Sequence, residues 1–324
     1  MAGGRPKRVL MTGGTGFVGG HLCPRIVAEW PDAHRLIVTR PGDPVAREGF
    51  ATQALDLTDR AAIDALIARE KPDLVLHLAA QSSVGAGARH EDTWRINAEA
   101  TLHLACAIAR HVPAATVFFV SSAEVYGRRF MEGVATETTT PQPMNAYARS
   151  KLAAEMMLAD VLTAENALVV ARAFNHTGPG QDTRFVLPAF SAQIAAIEAG
   201  QVAPKLMVGK LDAQRDFLDV RDVCGAYLAL LRNIGAGCRE TINVASGTAH
   251  RVGDLLVQMQ ALSTATFDIV PDPDRMRPSE IARSVGSADK LVERTGWAPN
   301  VPLATTLRDV LDDQRGRAGE RLAS

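Results

Sequence analysis

Short apolar runs separated by amphipathic stretches fill the first half of the chain. Residues 8–12 (RVLMT), 36–39 (LIVT), 74–79 (LVLHLA), 116–121 (TVFFVS) and 167–172 (ALVVAR) are apolar without alternation, the pattern of strands covered on both faces. Helical stretches lie between them, from the glycines after residue 12 to Trp30, over 58–70, from about Thr93 to His111, and from Asn145 to about Glu165. Strand and helix in alternation predict βαβ units and an α/β fold, a Rossmann-like doubly wound parallel sheet. After Phe174 the texture changes. Residues 175–187 are rich in Gly, Pro, Asn and Asp, elements shorten, and prolines cluster in 271–278 and 299–302, which predicts a smaller C-terminal lobe. TINVAS (241–246) reads as a strand returning to the main sheet. The expected division is therefore 1–174 plus a returning segment of about 215–250 for the large domain, and about 175–214 with 251–324 for the lobe. The longest loop, 127–144, carries Gly, Thr and Pro and predicts a mobile cover over a site.

Composition narrows the partners. With Lys+Arg at 35 and Asp+Glu at 36, the net charge of -1 gives no electrostatic reason to expect nucleic acid or an anionic membrane. Cys23, Cys106, Cys224 and Cys238 form no C-x-x-C pair and no zinc pattern, so reduced thiols, no metal and a cytoplasmic protein are expected. The opening MAGGRPKR is followed by no long apolar run, and no stretch reads as a signal peptide or a membrane span.

Chemistry enters at residues 12–19, TGGTGFVG, directly after the first strand. Gly13, Gly16 and Gly19 give G-x-x-G-x-x-G, and Gly14, Gly16 and Gly19 give G-x-G-x-x-G. Glycine is needed for the tight turn, for backbone approach to a pyrophosphate and for close helix–strand packing. The free N–H groups at the start of the following helix then favour the anion, and Phe17 and Val18 join the glycines in the expected cofactor set. An acid at the end of the second strand would select NAD; Thr39-Arg40 stands there instead. Arg40 can pair with a 2′-phosphate, so NADP(H) is preferred and NAD(H) possible; a plain surface arginine is the competing reading. Asp56 is placed to contact the adenine, beside Leu57, and Thr58 is a candidate helix cap. Ala79 and Ala80, after the strand at 74–79, complete the expected cofactor set together with Tyr147 and Lys151.

Tyr147 and Lys151 stand four apart in YARSK on a predicted helix, one turn apart on one face. A neighbouring ammonium is expected to lower the phenol's pKa, so that Tyr147 can exchange a proton with a sugar hydroxyl or ketone. Ser122 follows the strand at 116–121, at the carboxyl end where open α/β sheets bind ligands, and can polarise a carbonyl oxygen.

TGGTGFVG, LHLAAQSSV (76–84), SSAEVYG (121–127) and YARSK (147–151) resemble the extended short-chain dehydrogenase/reductase family. ARAFNHTGPGQ (171–181), RFVLPAF (184–190), RDFLDVRD (215–222), RMRPSE (275–280) and RTGWAP (294–299) are similar to its GDP-4-keto-6-deoxymannose reductase branch, from about Lys7 to Pro302. The resemblance implies hydride delivery to C4 of the keto sugar to give GDP-D-rhamnose, Tyr147 as proton donor, and Lys151 also holding the nicotinamide ribose. It implies a GDP-sugar substrate, with Ser83 and Glu124 at the sugar, Asn175 and Arg215 along the diphosphate, and Arg277 and Glu280 near the diphosphate and ribose. Ala146 and Ala148 stand where the family commonly has Pro and Gly. Asn175-His176-Thr177 matches a glycosylation sequon by chance.

Glu124 leaves an alternative open. In sugar-nucleotide 4,6-dehydratases a Glu at this place removes the C5 proton; the dTDP-glucose type also has an Asp before it, where this chain has Ala123, whereas the GDP-mannose type manages with the Glu alone. A 4-epimerase and, from another class, a non-catalytic nucleotide sensor on the same fold are the other rivals; the intact Ser122, Tyr147 and Lys151 speak against the sensor. The stretches 93–111 and 145–165 carry apolar residues on more than one face, and the resemblance implies a homodimer through a four-helix bundle.

Overall fold

Seven strands, all parallel, make the central sheet of the computed structural model, in the order β10-β6-β5-β4-β1-β2-β3. The structure describes residues 5–43, 45–81, 89–276 and 281–323. The strands are β1 (Arg8–Thr12), β2 (His34–Thr39), β3 (Ala51–Ala54), β4 (Leu74–His77), β5 (Thr116–Ser122), β6 (Ala167–Ala173) and β10 (Arg239–Val244). Their apolar runs divide by period two between two cores. Val9, Met11 and Phe118 face one core with α1 (Phe17–Glu29) and α7 (Val220–Arg232). Leu10, Val117 and Phe119 face another with α2 (Arg60–Glu70), α4 (Ala100–His111) and α5 (Ala146–Val161). The fold class expected from the alternation of elements is the one observed.

The edges explain what the apolar pattern misses. β3 reads ATQA and is largely exposed, so no buried run announces it. β10 is the expected returning strand, and its backbone is partly capped by side chains: Lys290 Nζ donates to Thr241 O at 2.7 Å, and Asn243 N donates to Glu137 Oε1 at 2.8 Å. Two helix readings change. The cap of α2 is Asp59, which accepts from Ala62 N at 3.0 Å, and Thr58 instead donates to Asp56. The helix expected over 93–111 is α3 (His90–Trp94), a π turn at Arg95–Glu99 and α4.

A third core gathers Leu187, Ile194, Leu206, Phe217, Leu255, Leu256, Leu307 and Leu311. It lies among α6 (Val186–Glu198), α8 (Val252–Leu262) and α10 (Leu303–Ala323) and two small sheets. One holds β7 (Asn175–Thr177), β9 (Gln214–Asp219), β11 (Ala249–Arg251) and β13 (Arg283–Ser284); the other pairs β8 (Lys205–Val208) with β12 (Asp268–Pro271). The boundary near 215 therefore moves, because β9 pairs in the small sheet while α7 after it packs on the large one. Leu291 of α9 (Asp289–Thr295) and Trp297 also join the large core, although they were expected in the lobe. Asp216, fully buried on β9, accepts from Ser246 N and Oγ at 2.8 and 2.6 Å, Gly247 N at 3.0 Å and Gly286 N at 3.3 Å.

The stretch 127–144, expected as a mobile cover, is bonded into the fold at several points. It starts within a 3-10 segment, Ala123–Met131, that buries Tyr126 and Phe130 against Phe174. Gly127 has φ 51°, and a Cβ there would lie 2.0 Å from Gln142 O. Arg128 N donates to Gln142 O at 3.1 Å, and Ala135 exchanges bonds with Val285 and Ser287 at 3.0 and 2.9 Å.

Candidate active site

The carboxyl ends of the central strands open into one cavity of about 1260 Å³. It runs from Thr39, Arg40 and Asp56, past the glycine turn, over Ser122, Tyr147 and Lys151, to Asn175, Phe185 and Arg215. A cavity at this place in a doubly wound sheet is where ligands bind.

The glycine turn is built as expected. Gly13 has φ 72°, and a Cβ there would stand 2.6 Å from Ala79 N. A Cβ on Gly19 would stand 2.5 Å from the carbonyl oxygens of both Gly13 and Gly14. Gly16 caps α1 with no side chain over the helix end, and Gly16, Phe17, Val18 and Gly19 line the cavity, which fits a pyrophosphate. At the adenosine end Arg40 is exposed on the rim with Leu57 and Ala80 also lining the wall. Thr39 Oγ1 beside it is buried without a hydrogen-bond partner among the described residues. A phosphorylated ribose fits this pair of a guanidinium and a free hydroxyl. Asp56 is exposed in the wall, and its bonds from Thr58 N and Oγ1 (2.9 and 2.8 Å) hold its pKa down.

Arg47 is a component that no motif announced. It donates to Gly14 O at 3.1 Å and Thr15 O at 3.0 Å, while Thr15 Oγ1 donates to Asp43 at 2.9 Å, so the loop after β2 clasps the glycine turn.

Ser122, Tyr147 and Lys151, expected to be the catalytic trio, come together in the cavity wall. Ser122, at the end of β5, accepts from Glu124 N at 3.2 Å, and both it and Tyr147 line the cavity. Asn145 caps α5 by accepting from Ala148 N at 2.8 Å, which fixes the first turn carrying Tyr147. Lys151, one turn on, is 2% exposed, with Nζ 4.5 Å from the centre of the Phe119 ring. The expected depression of the phenol by Lys151 is not what this geometry gives. Burial, then the charge of Glu124, push Tyr147 above its ordinary value, against the nearby Ser122 hydroxyl that pulls it down. Burial also lowers Lys151 to about 7, opposed by Glu155, so the lysine carries less charge to transmit. The resting tyrosine therefore keeps its proton, the form a proton donor needs.

Glu124 stands exposed at the cavity with Oε2 accepting from Asn145 Nδ2 at 2.8 Å. Arg215 reaches the same cavity, donating to Gln214 O at 2.8 Å and Ile281 O at 3.1 Å. Its burial lowers its pKa and Glu124's charge raises it. Asn175 is exposed beside it on β7. Ser83, Arg277 and Glu280 lie outside the described residues. Behind the trio, Glu155 and Arg172 form a buried ion pair, and Asn97 in the π turn binds Gln81 and Ser150. Tyr147, Lys151 and Glu155 recur at four-residue spacing, the one signal that could have revealed Glu155. Among the described residues no cluster of metal-ligating side chains is present, and no helix is long and apolar enough to cross a membrane.

Comparison with known proteins finds sugar-nucleotide enzymes that match nearly the whole chain. The family model for GDP-mannose 4,6 dehydratase matches residues 10–310. The chain is 37% identical to the GDP-6-deoxy-D-mannose reductase of Pseudomonas aeruginosa, over 97% of this chain and 99% of that one. The structure of RMD from Pseudomonas aeruginosa complexed with NADPH superposes with a TM-score of 0.81 at 35% identity, covering 96% of this chain and 99% of the other. The Thermus thermophilus UDP-glucose 4-epimerase complex with NAD gives a TM-score of 0.80 at 27% identity, covering 95% and 99%.

Proposed function

This chain belongs to the GDP-mannose 4,6 dehydratase family, within the extended short-chain dehydrogenase/reductases, and from that premise we propose that it reduces the 4-keto group of GDP-4-keto-6-deoxy-D-mannose to give GDP-D-rhamnose. NADPH is the preferred cofactor and NADH a possible one. The observation that carries the reading is the single cavity running from Arg40 to Arg215 with Ser122, Tyr147 and Lys151 together in its wall. The reductase of Pseudomonas aeruginosa, similar over nearly the whole chain, supports the choice of substrate.

The bound nicotinamide supplies the hydride. Gly13, Gly16 and Gly19 with the N-terminus of α1 take its pyrophosphate, Asp56 and Leu57 the adenine side, and Arg40 the 2′-phosphate. Ala79 and Ala80 line the path between them. Ser122 donates to the ketone oxygen, and Tyr147 gives its proton to the alkoxide as it forms. Lys151 holds the nicotinamide ribose and stabilises the phenolate left behind. Asn175 and Arg215, with Ser83, Arg277 and Glu280, bind the sugar nucleotide, where a guanidinium suits a diphosphate. Glu124 contacts the sugar. Reduction needs no base at C5, which sets this reading against the dehydratase alternative. Residues of the large sheet hold the cofactor and the smaller lobe holds the GDP-sugar.

The test is NADPH oxidation followed by absorbance with GDP-4-keto-6-deoxymannose. Sugar-dependent loss of NADPH supports the reductase, and Tyr147→Phe should abolish it while sparing cofactor binding. No loss with intact cofactor binding refutes the reading and turns attention to Glu124 as a dehydratase base. The enzyme is also proposed to be a cytoplasmic homodimer, with its free thiols kept reduced. Leu102 and Cys106 on α4 and Met157 on α5 are half-buried and Met156 is 61% exposed, which fits helices meeting a second copy in a four-helix bundle. A monomer mass by light scattering refutes the dimer.

A further inference from the structure

His77 ends β4 inside the LHLAAQSSV motif, is 1% exposed, and has no part in the chemistry above. Both ring nitrogens are occupied: Nδ1 lies 2.6 Å from Thr12 Oγ1 and Nε2 lies 2.9 Å from Thr101 Oγ1. The proton follows from the neighbours. Thr101 Oγ1 spends its hydrogen on Asn97 O at 2.7 Å, so it accepts from His77 Nε2–H. Nδ1 is then the acceptor, and Thr12 Oγ1 donates to it while accepting from Ala79 N at 3.3 Å. Burial foremost, and Lys151 as the charged neighbour, lower the imidazole's pKa to about 3. The Phe119 ring stacks on it at 5.5 Å between centroids.

The series of bonds continues beyond Thr101. Its bond to the carbonyl four residues back competes with the helix ladder, and that carbonyl belongs to the π turn at Arg95–Glu99. Such turns are used to re-aim a side chain at functional sites. Here the side chain is Asn97, fully engaged: Oδ1 accepts from Gln81 N at 2.7 Å, and Nδ2 donates to Ser150 Oγ at 3.0 Å. Ser150 Oγ in turn donates to Tyr147 O at 2.8 Å. An unbroken series therefore joins the strand beneath the glycine turn to the backbone of the catalytic tyrosine.

We propose that His77, as the Nε2–H tautomer, is a positioning residue for the reaction: it fixes the π turn against β1 and so sets Tyr147 over the cofactor floor. A histidine that merely fills the core would tolerate loss of the Thr101 link. The kinetic part of the proposal rests on the reductase reading above; the binding and spectroscopic parts do not.

Thr101→Val interrupts the series at a buried residue that does not itself line the cavity. Its kcat for sugar-dependent NADPH oxidation should fall about ten-fold or more, with the KM for the sugar nucleotide and the Kd for NADPH, read by NADPH fluorescence, held within about twofold. Thr101→Ser, which keeps the hydroxyl, should restore kcat. Long-range 1H–15N spectra of the unaltered protein should show His77 as Nε2–H, without titration between about pH 5 and about pH 9. Wild-type kcat in Thr101→Val, an equal loss of kcat and of NADPH affinity, or an Nδ1–H or titrating ring would overturn the proposal. If the unaltered enzyme oxidises no NADPH with this sugar nucleotide, the reductase reading fails by itself. His77 is then judged on its tautomer and on the Ser150 and Tyr147 amide resonances, which must shift in Thr101→Val; unmoved resonances reject it.

Discussion

Removing the Glu155 carboxylate should cost this protein more stability than almost any other single truncation. The Glu155 and Arg172 side chains are 8% and 7% exposed. Arg172 Nε lies 3.1 and 3.2 Å from the two carboxylate oxygens and Nη2 lies 2.6 Å from one of them. The Ser121 hydroxyl also donates to Glu155. Burial alone would depress the guanidinium's pKa, and the Glu155 bonds more than reverse this, leaving it raised. Glu155→Ala keeps Arg172 buried but takes away its counter-charge, a change that costs roughly 3–5 kcal/mol where one partner of a buried pair is deleted. The assay is urea unfolding of the cofactor-free enzyme, followed by the fluorescence of its 3 tryptophans, with equal slopes required for comparison. Replacing both residues by methionine should recover most of the loss, because the apolar pair leaves no stranded charge. A loss under about 1 kcal/mol in Glu155→Ala, or a double variant no more stable than the single one, refutes the reasoning.

Other consequences are as definite. Gly19→Ala should raise the Kd for NADPH by about tenfold or more, measured by fluorescence titration, since its Cβ would stand 2.5 Å from two carbonyl oxygens of the cofactor turn. Arg40→Ser should raise the KM for NADPH about tenfold and leave that for NADH nearly unchanged; parallel changes would remove Arg40 from the phosphate site. For the cofactor-free protein, Lys151 with a folded pKa of about 7 against 10.5 means the unfolded chain binds the extra proton between those values. Stability should therefore rise with pH through that window, and Lys151→Met should flatten the rise measured by thermal unfolding just above pH 7. His77, at about 3 against 6.5, contributes stability above 6.5 that is lost as pH falls toward 3, and His77→Phe should shallow that acid limb.

The central sheet was legible because its strands are buried on both faces and read as unbroken apolar runs. β3 was not, since an exposed edge strand such as ATQA needs no such run. Ser122, Tyr147, Lys151 and the glycine turn are set by local spacing, and the structure brings them to one cavity. What escaped depends on contacts distant in sequence. Arg47 reaches back 33 residues to Gly14, and His77 finds Thr12 65 residues away. The pKa balance was misjudged for the same reason: four-residue spacing shows that Lys151 neighbours Tyr147, but not that both are desolvated. For the loop at 127–144, polar composition hides the partners that Gln142 and Ala135 find elsewhere in the fold.

Asp216 gives the molecule a property that no single element has. Its buried carboxylate is shared among β9, the turn at Ser246 and Gly247 after β10, and Gly286 after β13. Opening any one of these stretches strands the same charge in a dry interior, so the free energy of opening is common to all three. Amide protons in them should exchange in concert rather than by separate local fluctuations, making this seam a single cooperative unit between the two sheets.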